Sequence, residues 1–330
     1  MMEKITVIGA GSWGTVLANM LALKGHTVTL WAYEAETAQA ILKTGVNETF
    51  MPELKLSLNV KPTNDINEAV DSVKYVIFTV PSQFLRKVLS LLKSNLPQDA
   101  VVVTAIKGIE KVTLMTASTI IRDFLPNEVT ALSGPSFARE VALKKPAAVS
   151  LGVLNDSIGR TLQDIFNTEY FRVYINDDIT GVELGGALKN VIAIASGISD
   201  GLSLGFNARA ALITRGLSEI VRLGVKMGAR ERTFSGLSGI GDLVLTCTGT
   251  LSRNYSVGKK LGMGMTPDEI VKSMKAVAEG VETSLSAYEL SVKNAVEMPI
   301  VEQVYKVIHQ GKDPGLAVKE LMSRELKREF

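Results

Sequence analysis

The sequence predicts an α/β fold, a mostly parallel sheet covered on both faces by helices, followed by an all-α C-terminal domain. Three observations carry this. Short β-rich runs alternate with helical ones up to about residue 175, the pattern of strand–helix–strand crossovers. Two of the runs, Tyr75–Val80 and Val101–Ala105, are nearly continuous in apolar residues, as strands buried on both faces are. Beyond residue 178 the strand signals stop and only helical periodicity remains. The expected organisation is therefore a sheet domain over 1–178 and a helical domain over 179–330.

The first expected strand, Lys4–Gly9, runs straight into the glycine fingerprint Gly9-Ala-Gly11-Ser12-Trp13-Gly14. Gly9 lets the chain turn sharply. Gly11 lets a pyrophosphate approach the backbone. Gly14 lets the next helix pack close to the sheet with its N–H groups facing the phosphates. A helical run follows from Val16 to Leu23, closed by Gly25, and a second strand spans His26–Trp31. Glu34 stands about 20 residues past the last glycine, where an acid can hold a ribose hydroxyl. This context makes the sheet domain Rossmann-like. Further strands are expected at Tyr75–Val80, Ala100–Ala105, Val129–Ser133, Ala147–Leu151 and Phe171–Tyr174, with helices such as Gln83–Leu92 and Leu114–Phe124 between them. In the second half Glu183–Ile198, Ala208–Leu223, Thr266–Ala278, Thr283–Lys293, Ile300–Ile308 and Asp313–Ser323 read as helices separated by glycine-rich loops.

Composition narrows the function. The 330 residues carry 36 basic against 34 acidic side chains, a balance that argues against a nucleic-acid or anionic-membrane surface. Cys247 is the only cysteine, which excludes an intrachain disulfide and a cysteine-based zinc site. The two histidines, His26 and His309, give little support for a metal or a histidine base, and no metal is expected. The N-terminal apolar run is too short for a signal peptide, and no uninterrupted apolar stretch of 18 residues suggests a membrane span. These features fit a reducing, cytoplasmic setting. The apolar helical half offers a surface for a homodimer.

Ligands gather beyond the carboxyl ends of strands in an open parallel sheet. There the sequence places Pro81-Ser82, Lys107-Gly108 and Ser133-Gly134-Pro135-Ser136. Lys107 is a cation beside an expected phosphate site. Within Glu183–Ile198 the face Gly185, Gly186, Lys189, Ala193, Ser196, Gly197 holds only small residues around one lysine. The remaining positions are large and aliphatic, so the helix is expected to be buried and Lys189 to look into a concavity. A desolvated lysine has a lowered pKa and can act as general acid and base near neutral pH. The competing reading pairs it with an acid such as Glu183. A second cluster, Gly239-Ile-Gly241-Asp242 and Ser252-Arg253-Asn254, combines close-approach glycines, a carboxylate that can orient an ammonium, and a guanidinium fork suited to phosphate. Cys247, with no histidine near it in sequence, reads as a small buried hydrophobe.

These stretches, with Val7–Thr15, Ala105-Ile-Lys-Gly108, Ser133–Ala138, Leu184–Ala193 and Gly239–Leu243, run in order over most of the chain. In them the chain resembles the bacterial-type NAD(P)-dependent sn-glycerol-3-phosphate dehydrogenases. The resemblance implies that Ser12, Trp13, Tyr33, Lys107, Ala138, Arg253, Val277 and Glu279 line the dinucleotide. Lys107, Gly134, Ser136, Lys189, Asp242, Ser252, Arg253 and Asn254 would hold the substrate, and Lys189 would pass the proton. Val277 and Glu279 rest on the resemblance alone. It further implies reversible hydride transfer between NAD(P)H and dihydroxyacetone phosphate, for glycerophospholipid synthesis. Coenzyme choice stays open between NAD and NADP. The segment Ala32–Ala40 holds no Arg or Lys for a 2′-phosphate, and Glu34 would repel one. Two alternatives also stay open. One is a β-hydroxyacid dehydrogenase, whose substrates carry a carboxylate. The other is a non-catalytic dinucleotide sensor, which needs neither a buried lysine nor a second phosphate site.

Overall fold

The computed structural model describes residues 2–92, 96–272, 278–326 and 328–329. Its main sheet has eight strands: β1 (Lys4–Ile8), β2 (Thr27–Trp31), β5 (Val60–Thr63), β6 (Tyr75–Phe78), β7 (Val101–Thr104), β8 (Val129–Ser133), β9 (Ala147–Gly152) and β10 (Phe171–Asn176). A separate antiparallel pair joins β3 (Val46–Asn47) and β4 (Met51–Lys55). The order in the sheet is β10-β9-β8-β7-β6-β1-β2-β5. From β5 to β8 every pairing is parallel. β9 turns back antiparallel to β8, and β10 runs parallel to β9.

The six parallel strands taken in chain order thus lie 3-2-1-4-5-6, the doubly wound order with a switch point between β1 and β6. A crevice must open there, because the crossovers from these two strands leave in opposite directions. β6 and β8 are buried along their whole length and β1 at every residue but Lys4, which is why their sequences run apolar rather than alternating. The expected strands are all present within a residue or two, but the reading missed β5 and the β3–β4 pair. β5 contains Pro62, which donates nothing to a ladder and is tolerated there because β5 is the sheet's edge. The helix expected from Leu114 begins at Ala117, since Leu114 takes a left-handed backbone with φ +61°.

A 23-residue helix, Ile179–Gly201, is the axis of the second half. Its length and composition would suffice to cross a membrane, yet its apolar window is wholly buried inside the protein, as a core helix is. Around it pack Gly205–Lys226, Asp242–Thr248, Arg253–Gly262, Glu279–Lys293 and Pro299–His309. The small residues of the central helix serve close approach rather than an open concavity. A Cβ on Gly197 would strike the Tyr255 carbonyl, and one on Gly258 would strike the Ile194 carbonyl. One on Gly186 would strike the Ser133 hydroxyl at the end of β8. The helix expected over Thr266–Ala278 is seen as Pro267–Lys272, and the residues after it lie outside the described ones.

Candidate active site

The crevice is built first by glycines. Gly9 follows β1 with φ +116°, and its N–H donates to the Trp31 carbonyl at 3.0 Å. The Thr79 hydroxyl, just past β6, donates to the Gly9 carbonyl at 2.9 Å and fills the space a Gly9 side chain would need. A Cβ on Gly14 would overlap the Gly9 carbonyl, so the helix Ser12–Leu23 starts hard against the turn. Gly11 differs: nothing lies within 4 Å of where its Cβ would stand. That helix end has no side-chain cap and no acid in its first turn, leaving its first N–H groups for an anion. Buried Asn47, from β3, donates to the Ala10 carbonyl and the Thr15 hydroxyl, both at 2.8 Å, and Ser12 Oγ donates to the Phe50 carbonyl at 3.0 Å. The β3–β4 pair therefore braces the glycine loop. The residues present fit a dinucleotide: a rigid turn, an open position at the middle glycine and an uncapped helix end. The Trp13 ring packs on Phe171 with centroids 6.2 Å apart, which leaves its main chain at the start of the helix.

The second component is a pair of lysines on one carboxylate. Lys189, 6% exposed, donates from Nζ to Asp242 Oδ1 and to Thr246 Oγ1, each at 2.6 Å. Lys107, which follows β7, donates to Asp242 Oδ2 and to the Gly134 carbonyl, each at 2.8 Å. Asp242 is 1% exposed and opens the helix Asp242–Thr248, so Thr246 stands one turn on, where its hydroxyl also donates to the Asp242 carbonyl at 2.6 Å. Burial lowers the Lys189 pKa to about 8, Asp242 acting to raise it and Lys107 to lower it. Glu183 is not the partner of Lys189. It accepts from the Ser118 N–H at 2.8 Å and from the Ser118 hydroxyl at 2.5 Å, on the helix Ala117–Phe124. Cys247 is fully buried and its thiol is pushed up to about 12 by burial, so it is inert as a nucleophile.

The third component approaches from the helical half. Ser252 caps the helix Arg253–Gly262, its hydroxyl accepting from the Tyr255 N–H at 3.2 Å. The Arg253 side chain makes no hydrogen bond or salt bridge among the described residues, which leaves the donors of its fork unspent; burial lowers its pKa, and the Glu279 carboxylate acts to raise it. Asn254 is engaged: Oδ1 accepts from the Gly280 N–H at 3.0 Å, and Nδ2 donates to Asn190 Oδ1 at 2.8 Å. Asn190 in turn donates to the Lys107 carbonyl at 3.0 Å. Glu279 accepts from the Ser82 N–H at 3.1 Å and from its hydroxyl at 2.7 Å, and burial raises its pKa. These contacts join the two halves around the crevice.

Ser136 Oγ donates to the Gly134 carbonyl at 3.0 Å, and Gly134 (φ +150°) lies against the β9 backbone at Val149. Ala138 begins the short helix Ala138–Ala142. Tyr33 stands two residues past β2, more than half exposed. Val277 lies outside the described residues. Thr246 and Asn190 were not among the expected site residues, and Ser82, expected at a strand end beside the ligand, was given no partner. Thr246 had a signal, its spacing of four from Asp242 on a helix. Asn190 and Ser82 make their contacts across the two halves of the chain, and no local pattern announces them.

Comparison with known proteins converges on one family. The N-terminal model of NAD-dependent glycerol-3-phosphate dehydrogenase matches residues 4–158, and the C-terminal one matches residues 178–319. The NAD(P)+ glycerol-3-phosphate dehydrogenase of Citrifermentans bemidjiense is 56% identical over 333 residues, covering 100% of this chain and 99% of the relative. That of Geobacter sulfurreducens is 54% identical, with the same coverage. The crystal structure of glycerol-3-phosphate dehydrogenase from Coxiella burnetii superposes with a TM-score of 0.95 at 40% identity, covering 98% of this chain and 99% of that one. A D-mandelate dehydrogenase, at 16% identity and a TM-score of 0.65, shares the fold.

Proposed function

The chain belongs to the NAD-dependent glycerol-3-phosphate dehydrogenase family, and from that premise we propose how its residues carry out the reaction. It catalyses the reversible, NAD(P)-dependent reduction of dihydroxyacetone phosphate to sn-glycerol 3-phosphate. The coenzyme, when bound, supplies or accepts the hydride. The sheet half, 1–178, binds it through Gly9, Gly11, Gly14 and the main chain of Ser12 and Trp13. Tyr33, Lys107, Ala138, Arg253 and Glu279 complete its lining. The helical half, 179–330, carries the proton chemistry.

The observation that carries this reading is the Lys107–Asp242–Lys189–Thr246 cluster at the crevice. Arg253 takes the substrate phosphate in its free fork, beside the start of the helix Arg253–Gly262. This contact is remote from the reacting carbon, so its binding energy positions the carbonyl. Ser252, Asn254, Gly134 and Ser136 shape the same pocket. As negative charge grows on the carbonyl oxygen, protonated Lys189 neutralises it and donates the proton from Nζ. Asp242 fixes both ammonium groups, and Lys107 adds positive charge next to the developing oxyanion. In the reverse direction neutral Lys189 takes the hydroxyl proton.

The same reading takes the chain as a cytoplasmic enzyme that acts on a free phosphorylated small molecule, needs neither nucleic acid nor membrane, and pairs as a homodimer through its helical half. The activity is tested by the loss of reduced-nicotinamide absorbance on adding dihydroxyacetone phosphate, with NADH and NADPH compared. Lys189→Ala is expected to lose at least about 1,000-fold in kcat while retaining coenzyme affinity. Turnover close to wild type in that variant would remove Lys189 from the reaction.

A further inference from the structure

We propose that Lys87 is the cation that receives the 2′-phosphate of NADP(H), so that the site accepts either coenzyme. The inference deepens the dinucleotide reading of the crevice and rests on it. In this fold the adenosine ribose falls at the carboxyl end of the second strand, where an acid favours a free 2′-hydroxyl and a nearby cation accommodates a 2′-phosphate. Here Tyr33 and Glu34 after β2, and Glu36 in the first turn of the helix Ala35–Thr44, are all exposed, and this stretch offers no cation of its own up to Lys43 in the helix's last turn. Glu34 alone would select against the phosphate.

The missing charge comes from a different crossover. Lys87 lies on the helix Leu85–Ser90, which follows β6, and β2 and β6 flank β1 on opposite sides. Its ammonium donates to the Tyr33 hydroxyl at 2.9 Å and sits 5.0 Å from the centre of the Tyr33 ring. The contact therefore spans the crevice above the end of β1. Tyr33 is itself set by the edge of Trp31, with ring centroids 6.1 Å apart. A cation over the face of a tyrosine is held electrostatically without being neutralised. Among the described residues no carboxylate pairs with Lys87, and only one of its three N–H donors is used. An exposed, unneutralised ammonium fixed at the ribose end of the crevice is a phosphate site of the point-charge kind.

The test uses ligands that differ only in the phosphate: 2′,5′-ADP and ADP, titrated calorimetrically into the full-length wild-type protein and Lys87→Ala. Lys87→Ala is expected to weaken 2′,5′-ADP about tenfold or more while changing ADP less than about twofold, and Lys87→Arg to restore most of the difference. The 2′,5′-ADP advantage of the wild type should also shrink as salt is raised. KM for NADPH should follow 2′,5′-ADP, and KM for NADH should follow ADP. Equal losses for both ligands, or none for either, would overturn the assignment while leaving the crevice a nucleotide site. Failure of the wild type to bind either ligand would overturn the dinucleotide reading itself.

Discussion

At the scale of single residues, the proposed chemistry depends on one amine whose proton is easily moved. Lys189 has a pKa of about 8 because its burial opposes the charge more than Asp242 supports it. Reduction of the ketone needs the protonated form, so kcat/KM for dihydroxyacetone phosphate should be flat below pH 8 and fall tenfold per unit above it. Oxidation of glycerol 3-phosphate needs the neutral form and should rise through the same pH. The substrate phosphate titrates near pH 6, so both profiles are read above pH 7. Asp242→Asn removes the charge that raises the Lys189 pKa and also releases Lys107. The inflection of both profiles should then move below pH 8, with kcat reduced about 100-fold or more. An unmoved inflection would mean that another group titrates. Lys189 was legible in the sequence because a single lysine among glycine, alanine and serine on an apolar helix has few places to go. Its partner was legible only in part: Asp242 reads as a carboxylate that can orient an ammonium, but Glu183 lay nearer in sequence, and Asp242 arrives from another helix altogether.

At the scale of elements, the site is held by a close crossing of two helices. Gly197 and Gly201 of the central helix face Gly258 and Gly262 of the helix Arg253–Gly262. The second helix begins at Arg253, proposed above to hold the substrate phosphate, so its distance from the first sets where Arg253 stands. Gly258→Ala tests this. In a free helix the change would stabilise by about 1 kcal/mol. Here the added Cβ meets the Ile194 carbonyl and comes within 2.9 Å of the Ile198 N–H, and neither backbone group can move alone. Overpacking should win, with a net loss of about 2 kcal/mol on denaturant unfolding. KM for dihydroxyacetone phosphate should rise with it, while affinity for the coenzyme changes little. The sequence had announced most of these elements, since glycine fingerprints, continuous apolar strands and helical periodicity are local signals. It hid those whose reasons are not local. β5 is a strand only because β2 offers it an edge, and Pro62 argues against it until its edge position is known. The β3–β4 pair has few residues, and its purpose, bracing the glycine loop through Asn47, is visible only across 32 and 37 residues of chain. The glycines of the central helix left space and close approach both open in the sequence, and the structure shows close approach to a neighbouring backbone or side chain.

At the scale of the whole molecule, the question is whether a sheet half and a helical half behave as one body. The contacts say that they do. The central helix lies with Gly186 against Ser133 of β8, and Gly152 of β9 lies against Ile179 and Val182 of the same helix. Further along, Gly197 touches the Tyr255 carbonyl. Across the crevice run Lys107–Asp242, Asn190 to the Lys107 carbonyl, Ser82–Glu279, and the Lys111–Glu282 ion pair at 2.5 Å. Unfolding the helical half alone would bare the sheet face that covers the central helix. It would also leave Lys107 without its carboxylate, so a half-folded state has little to recommend it. The two tryptophans offer a direct test, because Trp13 and Trp31 both lie in the sheet half whereas most helical residues lie in the other. Tryptophan fluorescence and the helical circular-dichroism signal should therefore trace one coincident transition in denaturant. Adding NADH at about 100 times its dissociation constant should shift both traces together, by about 2.7 kcal/mol. Were the helical signal to fall first with the fluorescence unchanged, the cross-crevice contacts would be too weak to couple the halves. The lysine on one half could not then be held in register with a coenzyme on the other. The proposed catalysis by Lys189 thus requires the same coupling that makes unfolding cooperative, and a variant that splits the transition, such as Glu282→Ala, which removes the Lys111 ion pair outside the site, should lose turnover in proportion.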